Sequence, residues 1–188
     1  MFVNLVKMKK YLIYFFLFLF FNCIFISSLN ANPQFRARLD IPEPDIRGIE
    51  FNNDGSKMFT VGTGGGDDID EYSLTTPYDI TTAGTPDDSL TVGSVVQGIR
   101  FNDDGTKMFL MPFSDGNIRE IHLGTAFDIS SQTNLADPPV LGFGVGGLSN
   151  SSANALSIEF NSVGTKLFVL DPGANEIDEY TLSTGFDI

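Results

Sequence analysis

Ile99-Arg100-Phe101-Asn102-Asp103-Asp104-Gly105-Thr106-Lys107-Met108-Phe109 decides the fold, because this stretch occurs three times. Its first copy is Ile49-Glu50-Phe51-Asn52-Asn53-Asp54-Gly55-Ser56-Lys57-Met58-Phe59, and its third is Ile158-Glu159-Phe160-Asn161-Ser162-Val163-Gly164-Thr165-Lys166-Leu167-Phe168. A second block follows each copy: Ile69-Asp70-Glu71-Tyr72-Ser73-Leu74, Ile118-Arg119-Glu120-Ile121-His122-Leu123 and Ile177-Asp178-Glu179-Tyr180-Thr181-Leu182. A third block closes each unit: Tyr78-Asp79-Ile80, Phe127-Asp128-Ile129 and Phe186-Asp187-Ile188. Phe51 and Phe101 are 50 residues apart, and Phe101 and Phe160 are 59 apart.

The residues dictate strands. Ile49 and Phe51 alternate around Glu50, the period-two pattern of a half-buried strand. Asn-Asp-Gly then makes a tight turn, because Gly tolerates positive φ and Asn and Asp accept turn geometry. Residues 57–61 place Met58, Phe59 and Val61 close together, as a strand covered on both faces requires. A Gly- and Asp-rich loop leads to a third strand at 69–74, and a fourth is expected near 89–95, with its counterpart near 140–145. Residues 34–40 alternate and predict one more strand ahead of the first repeat. Nothing beyond residue 31 has helical periodicity, and 19 glycines and nine prolines suit a turn-rich all-β chain. Four strands per repeat at this period read as a β-propeller with about three four-stranded blades. The sequence units are 34–80, 81–129 and 130–188.

The phrase Phe-Asn-x-Asp-Gly-Thr-Lys-Met-Phe, with Ile-Asp-Glu-Tyr-x-Leu-Ser-Thr-x-Phe-Asp-Ile after it, resembles propeller repeats of marine-bacterial and phage-associated proteins. Those are related to the YVTN and lactonase-like propellers. The likeness spans nearly all of 45–188. The third copy departs from it at Ser162-Val163 and the second at Ile121-His122. The resemblance implies architecture; such repeats host many activities.

The first 31 residues read as a secretory signal. Lys7, Lys9 and Lys10 precede a nearly unbroken apolar run of sixteen residues, 11–26, and a small polar stretch ends at Ala31. A membrane span takes about 20 apolar residues, so cleavage after Ala31 is expected rather than a retained anchor. The expected location is secreted or periplasmic. The single cysteine, Cys23, falls in this leader, so disulfides and cysteine-based metal sites are excluded from the remaining 157 residues. The leader holds three of the 11 basic residues and none of the 24 acidic ones, which leaves −16 on the remainder. That charge repels phosphate backbones and argues against nucleic acid as a partner.

Three blades are fewer than the usual four to eight, and Ile188 follows the third strand of the last repeat. Two expectations stay open: a longer propeller of which this is a part, or a head-to-tail homodimer closing a ring.

Propellers usually bind at one end of the channel. The expected rim residues are Arg47, Asp67, Asp68, Gln97, Asp115, Asn117, Asn154, Asp171 and Asn175. The loop 146–155, about ten residues longer than its counterpart in the first repeat, is a further candidate. Recurring Asp and Asn would suit Ca²⁺, although turn formation accounts for them first and no fixed-spacing calcium loop is present. His122, the one histidine, replaces a repeated tyrosine within a strand, so a structural role is expected. Glu50, Arg100 and Glu159 share one register and would line the channel or pair across blades. With no catalytic constellation in view, a binding or scaffold module for a small molecule or a protein leads. The alternatives are a lactonase-like metal-dependent hydrolase and a surface or virion interaction module.

Overall fold

The computed structural model describes residues 33–41, 43, 45–63, 68–93, 95–112, 117–136, 138, 140–142, 157–171 and 175–188. The expected leader, Cys23 included, lies outside them. The chain divides into two units, Met1–Ala37 and Arg38–Ile188.

The second unit is three successive antiparallel sheets, the blade arrangement of a propeller. The first comprises β1 (Ile46–Phe51), β2 (Lys57–Gly62), β3 (Asp68–Ser73) and β4 (Asp88–Thr91), hydrogen-bonded in that order. The second repeats it with β5 (Val96–Phe101), β6 (Lys107–Pro112), β7 (Asn117–His122) and β8 (Val140–Gly142). The third has β9 (Ser157–Phe160), β10 (Lys166–Asp171) and β11 (Glu176–Thr181). The sheets are offset from the sequence units, because β4 opens the unit 81–129 yet pairs with β3.

The central strands are covered on both faces, as their consecutive apolar residues require. Phe59, Ile69, Phe109 and Ile118 are all 0% exposed. Full burial of one such side chain stabilises the fold by about 1.5–3 kcal/mol. Three apolar clusters result: one between the first and second sheets, one between the second and third, and one on the outer face of the first.

Two expectations are corrected. Residues 34–40 form no strand. A strand needs a neighbour to take its ladder hydrogen bonds, and alternation alone does not provide one. Leu39 and Ile41 instead pack on the Met58, Tyr72 and Leu74 cluster of the first sheet. The fourth strand ends at Thr91, short of residue 95, because Gly93 turns the backbone to φ 71°. Its counterpart is described to Gly142; residues 143–145 lie outside.

The closing blocks are more structured than the sequence reading supposed. Asp79 and Asp128 each cap a 3-10 turn, Ile80–Thr82 and Ile129–Ser131, by accepting the N–H of Thr81 and Ser130. The aromatic residue that opens each block is left-handed, with φ of 58° at Tyr78, 54° at Phe127 and 55° at Phe186.

Candidate functional site

The first strand of each sheet faces its neighbour: β1 packs on β5 and β5 on β9. Their upper ends form a cleft of about 170 Å³ lined by Arg47, Gly48, Gln97, Gly98, Arg100 and Ser157, among others. The pairing register shifts at Ile46/Gly48 and again at Val96/Gly98, so both inner strands bulge at the same repeat position. Gly48 permits the approach. A side chain there would come within 2.8 Å of Val61 Cγ2 and 3.2 Å of Gly98 Cα.

Arg47 spans the two blades. Its Nη1 donates to Gln97 Oε1 at 3.2 Å, and its Nη2 donates to Asp45 Oδ2 at 2.9 Å. Thr63 Oγ1 also donates to Asp45 Oδ2, at 3.1 Å. The Arg47 guanidinium, with Thr63 behind it, holds the Asp45 carboxyl below its ordinary value. Arg100, which also lines the cleft, pairs with Glu50 through Nη1 and with Glu159 through Nη2, the latter at 3.3 Å. Burial pushes the Glu50 carboxyl up against the opposing pull of Arg100. The shared register of these three residues is therefore a cross-blade ion pair.

Of the expected rim residues, Arg47 and Gln97 share this cleft. Asp68 opens β3 and belongs to another group, in which oxygens of Glu43, Asp68 and Asp70 lie within 4.8 Å of one another. Asn117 opens β7 and Asp171 ends β10. Asn175 takes φ 59° in the turn before β11. Asp67, Asp115, Asn154 and the loop 146–155 lie outside the described residues. The sequence reading missed Ser157 and Met111 as lining residues and Glu43 as a companion of Asp68. Glu43 carried no signal, because it precedes the first repeat and has no counterpart in the other copies.

Three carboxylates make up only part of a Ca²⁺ shell, which takes six to eight oxygens. One member is already engaged, since Ser89 Oγ donates to Asp70 Oδ1. A second group, Glu71, Asp88 and Asp128, is built into the fold. Glu71 accepts from Lys57 Nζ at 2.5 Å and from the Ile129 N–H at 3.0 Å. His122 Nε2 lies 2.6 Å from Glu120 Oε1.

No family model matches the chain, and no curated protein matches it. Solved structures do. A chain of the mitotic checkpoint complex is 12% identical at a TM-score of 0.52, covering 76% of this chain and 38% of that one. A putative 6-phosphogluconolactonase from Bacteroides uniformis is 13% identical at 0.49, with coverage of 79% and 46%. The Cps50 (Swd1) β-propeller domain of Myceliophteria thermophila is 11% identical at 0.46, with coverage of 85% and 47%. This chain spans less than half the length of each. At such identities the likeness concerns the fold alone.

Proposed function

We propose that this chain is an exported propeller module that binds a partner at its channel rim and performs no chemistry of its own. The observation that carries the reading is the cleft between the first two blades. Its glycine bulges bring two backbones together, and Arg47 and Gln97 stand over them. Such a site supplies fixed backbone edges, a guanidinium fork and an amide, which suits the polar groups of a peptide or loop. Export rests on the charged and apolar leader, 1–31.

The test is site-specific photo-crosslinking in a secreting host. A crosslinker at Gln97 is expected to give one discrete adduct, reduced by Arg47→Ala. The same crosslinker at Asp103, in an exposed turn of β5–β6, is expected to give none. Equal adducts from both positions overturn the proposal. So does a metal-dependent hydrolysis of lactones that Arg47→Ala abolishes, which would establish the lactonase-like alternative.

A further inference from the structure

The interface between neighbouring blades is built twice, from the same repeat positions. Between the first and second sheets, Phe59, Val61 and Ile69 meet Val96, Ile99 and Ile129 in one cluster. Lys57 Nζ donates to the Phe127 carbonyl at 2.7 Å, and Glu71 accepts from the Ile129 N–H at 3.0 Å. Between the second and third sheets, Phe109, Met111 and Ile118 meet Ile158, Leu167 and Val169. Lys107 Nζ donates to the Phe186 carbonyl at 2.7 Å and pairs with Asp187 at 3.0 Å. Glu120 accepts from the Ile188 N–H at 3.0 Å. Each Lys–Glu pair is thus a socket, and each aromatic-Asp-Ile turn is the plug that fills it.

One more socket and one more plug stand at opposite ends of the chain. On the third sheet Lys166 pairs with Glu179 at 2.5 Å, and their side chains stay 46% and 49% exposed. Ile177 is 70% exposed, whereas its counterparts Ile69 and Ile118 are 0% exposed. Among the described residues β11 has no fourth strand beside it. On the first sheet, Tyr78-Asp79-Ile80 repeats the left-handed turn, with Tyr78 57% exposed. Ile46 and Ile49 are 43% and 52% exposed, against 0% and 2% for Val96 and Ile99 at the same positions. Leu39 and Ile41 lie on the first sheet's cluster as Leu90 and Val92 lie on the second's.

We infer that a second copy of this chain joins these halves. Tyr78-Asp79-Ile80 of one copy enters the Lys166–Glu179 socket of the other, with Asp79 facing Lys166 as Asp187 faces Lys107. The segment bearing Leu39 and Ile41 adds to β11 as its missing fourth strand, a β-augmentation. The contact is made reciprocally, so two copies close one ring.

Gel filtration with light scattering on the full, purified chain tests this. The expected mass is two copies. Ile177→Asp, at a position exposed within one copy, is expected to give a folded monomer that still melts cooperatively, at a lower temperature that no longer depends on concentration. Asp79→Lys and Lys166→Asp should each weaken pairing on the order of thirty-fold at each of the two junctions, the effect of breaking a desolvated charge pair at an interface. Mixing those two variants should restore the dimer, because one junction then stays native and the other carries the reversed pair. A monomeric parent chain overturns the inference and leaves a covalently following repeat as the plug. A dimer indifferent to Ile177→Asp, or two folded charge variants that fail to pair on mixing, overturns it as well.

Discussion

At the scale of single residues, each blade turns on a glycine and an aromatic ring that need each other. Gly55, Gly105 and Gly164 have φ of 71°, 71° and 67°. A Cβ on Gly55 would come within 2.3 Å of the Tyr78 ring, and one on Gly105 within 2.2 Å of the Phe127 ring. The aromatic N–H donates to the glycine carbonyl at 2.9 Å in all three repeats. The glycine was legible from Asn-Asp-Gly, because the turn needs positive φ. The left-handed aromatic was not, because local sterics disfavour it and it is held there by that hydrogen bond and by packing on the glycine and on Phe51, Phe101 or Phe160. Gly55→Val and Gly105→Val are each expected to cost about 2–5 kcal/mol, adding backbone strain to overpacking. Gly93 has the same φ of 71° and nothing within 4 Å. Gly93→Ala should therefore cost only the strain, about 1 kcal/mol. Urea midpoints of the three variants check the difference. The neighbouring carboxylates set an acid limit. The Ser56 and Thr106 hydroxyls and N–H groups hold Asp54 and Asp104 below their ordinary 3.8, and Ser130 does the same for Asp128. A carboxyl lowered by folding stabilises fully above its unfolded value, and the contribution is lost as pH falls through the folded value. Stability should thus drop below about pH 3.8, and Asp104→Asn should flatten that drop in pH-dependent urea midpoints.

At the scale of elements, strands were readable wherever burial follows a short period. β1, β2 and β3 fall where Ile49/Phe51, Met58/Phe59 and Ile69/Tyr72 put them. The segment 34–40 was misread because its pattern describes a face and says nothing about an edge partner. The cleft was half readable. Arg47 and Gln97 occupy one repeat position and meet as adjacent blades must, whereas Ser157 enters from a third strand. The interblade sockets were invisible, since Lys and Glu on strands read as solvated charges. Glu120 is 0% exposed and takes Lys107, His122 and the Ile188 N–H. Glu120→Ala leaves Lys107 with Asp187 and the Phe186 carbonyl but takes the acceptor from the Ile188 N–H, so it should cost about 1–3 kcal/mol. The equivalent Glu179→Ala, measured in the monomeric Ile177→Asp chain, should cost about 1 kcal/mol or less, as exposed pairs do. Equal losses in thermal melts would mean that the sockets do not differ in burial.

At the scale of the whole molecule, the expected leader and the three sheets frame what is asked of the chain. Protein recovered from a secreting host should begin at Asn32, and N-terminal sequencing reads this directly; an intact apolar run would mean a retained anchor. The propeller was legible because its repeats restate one blade three times. The proposed partner was not, since a repeat records what blades share and a binding surface lies in what they do not share. The Glu50–Arg100–Glu159 line shows the difference. Its charges run minus, plus, minus along the inner strands. A run of odd parity cannot be continued by its own repetition without setting like beside like. Whatever stands next to Glu159 around the channel must either bring a cation or leave an acidic seam. A second copy brings Glu50, whose carboxyl burial already pushes up. Closing such a ring takes up protons, so copies joined this way should hold together more tightly in mild acid than at neutral pH.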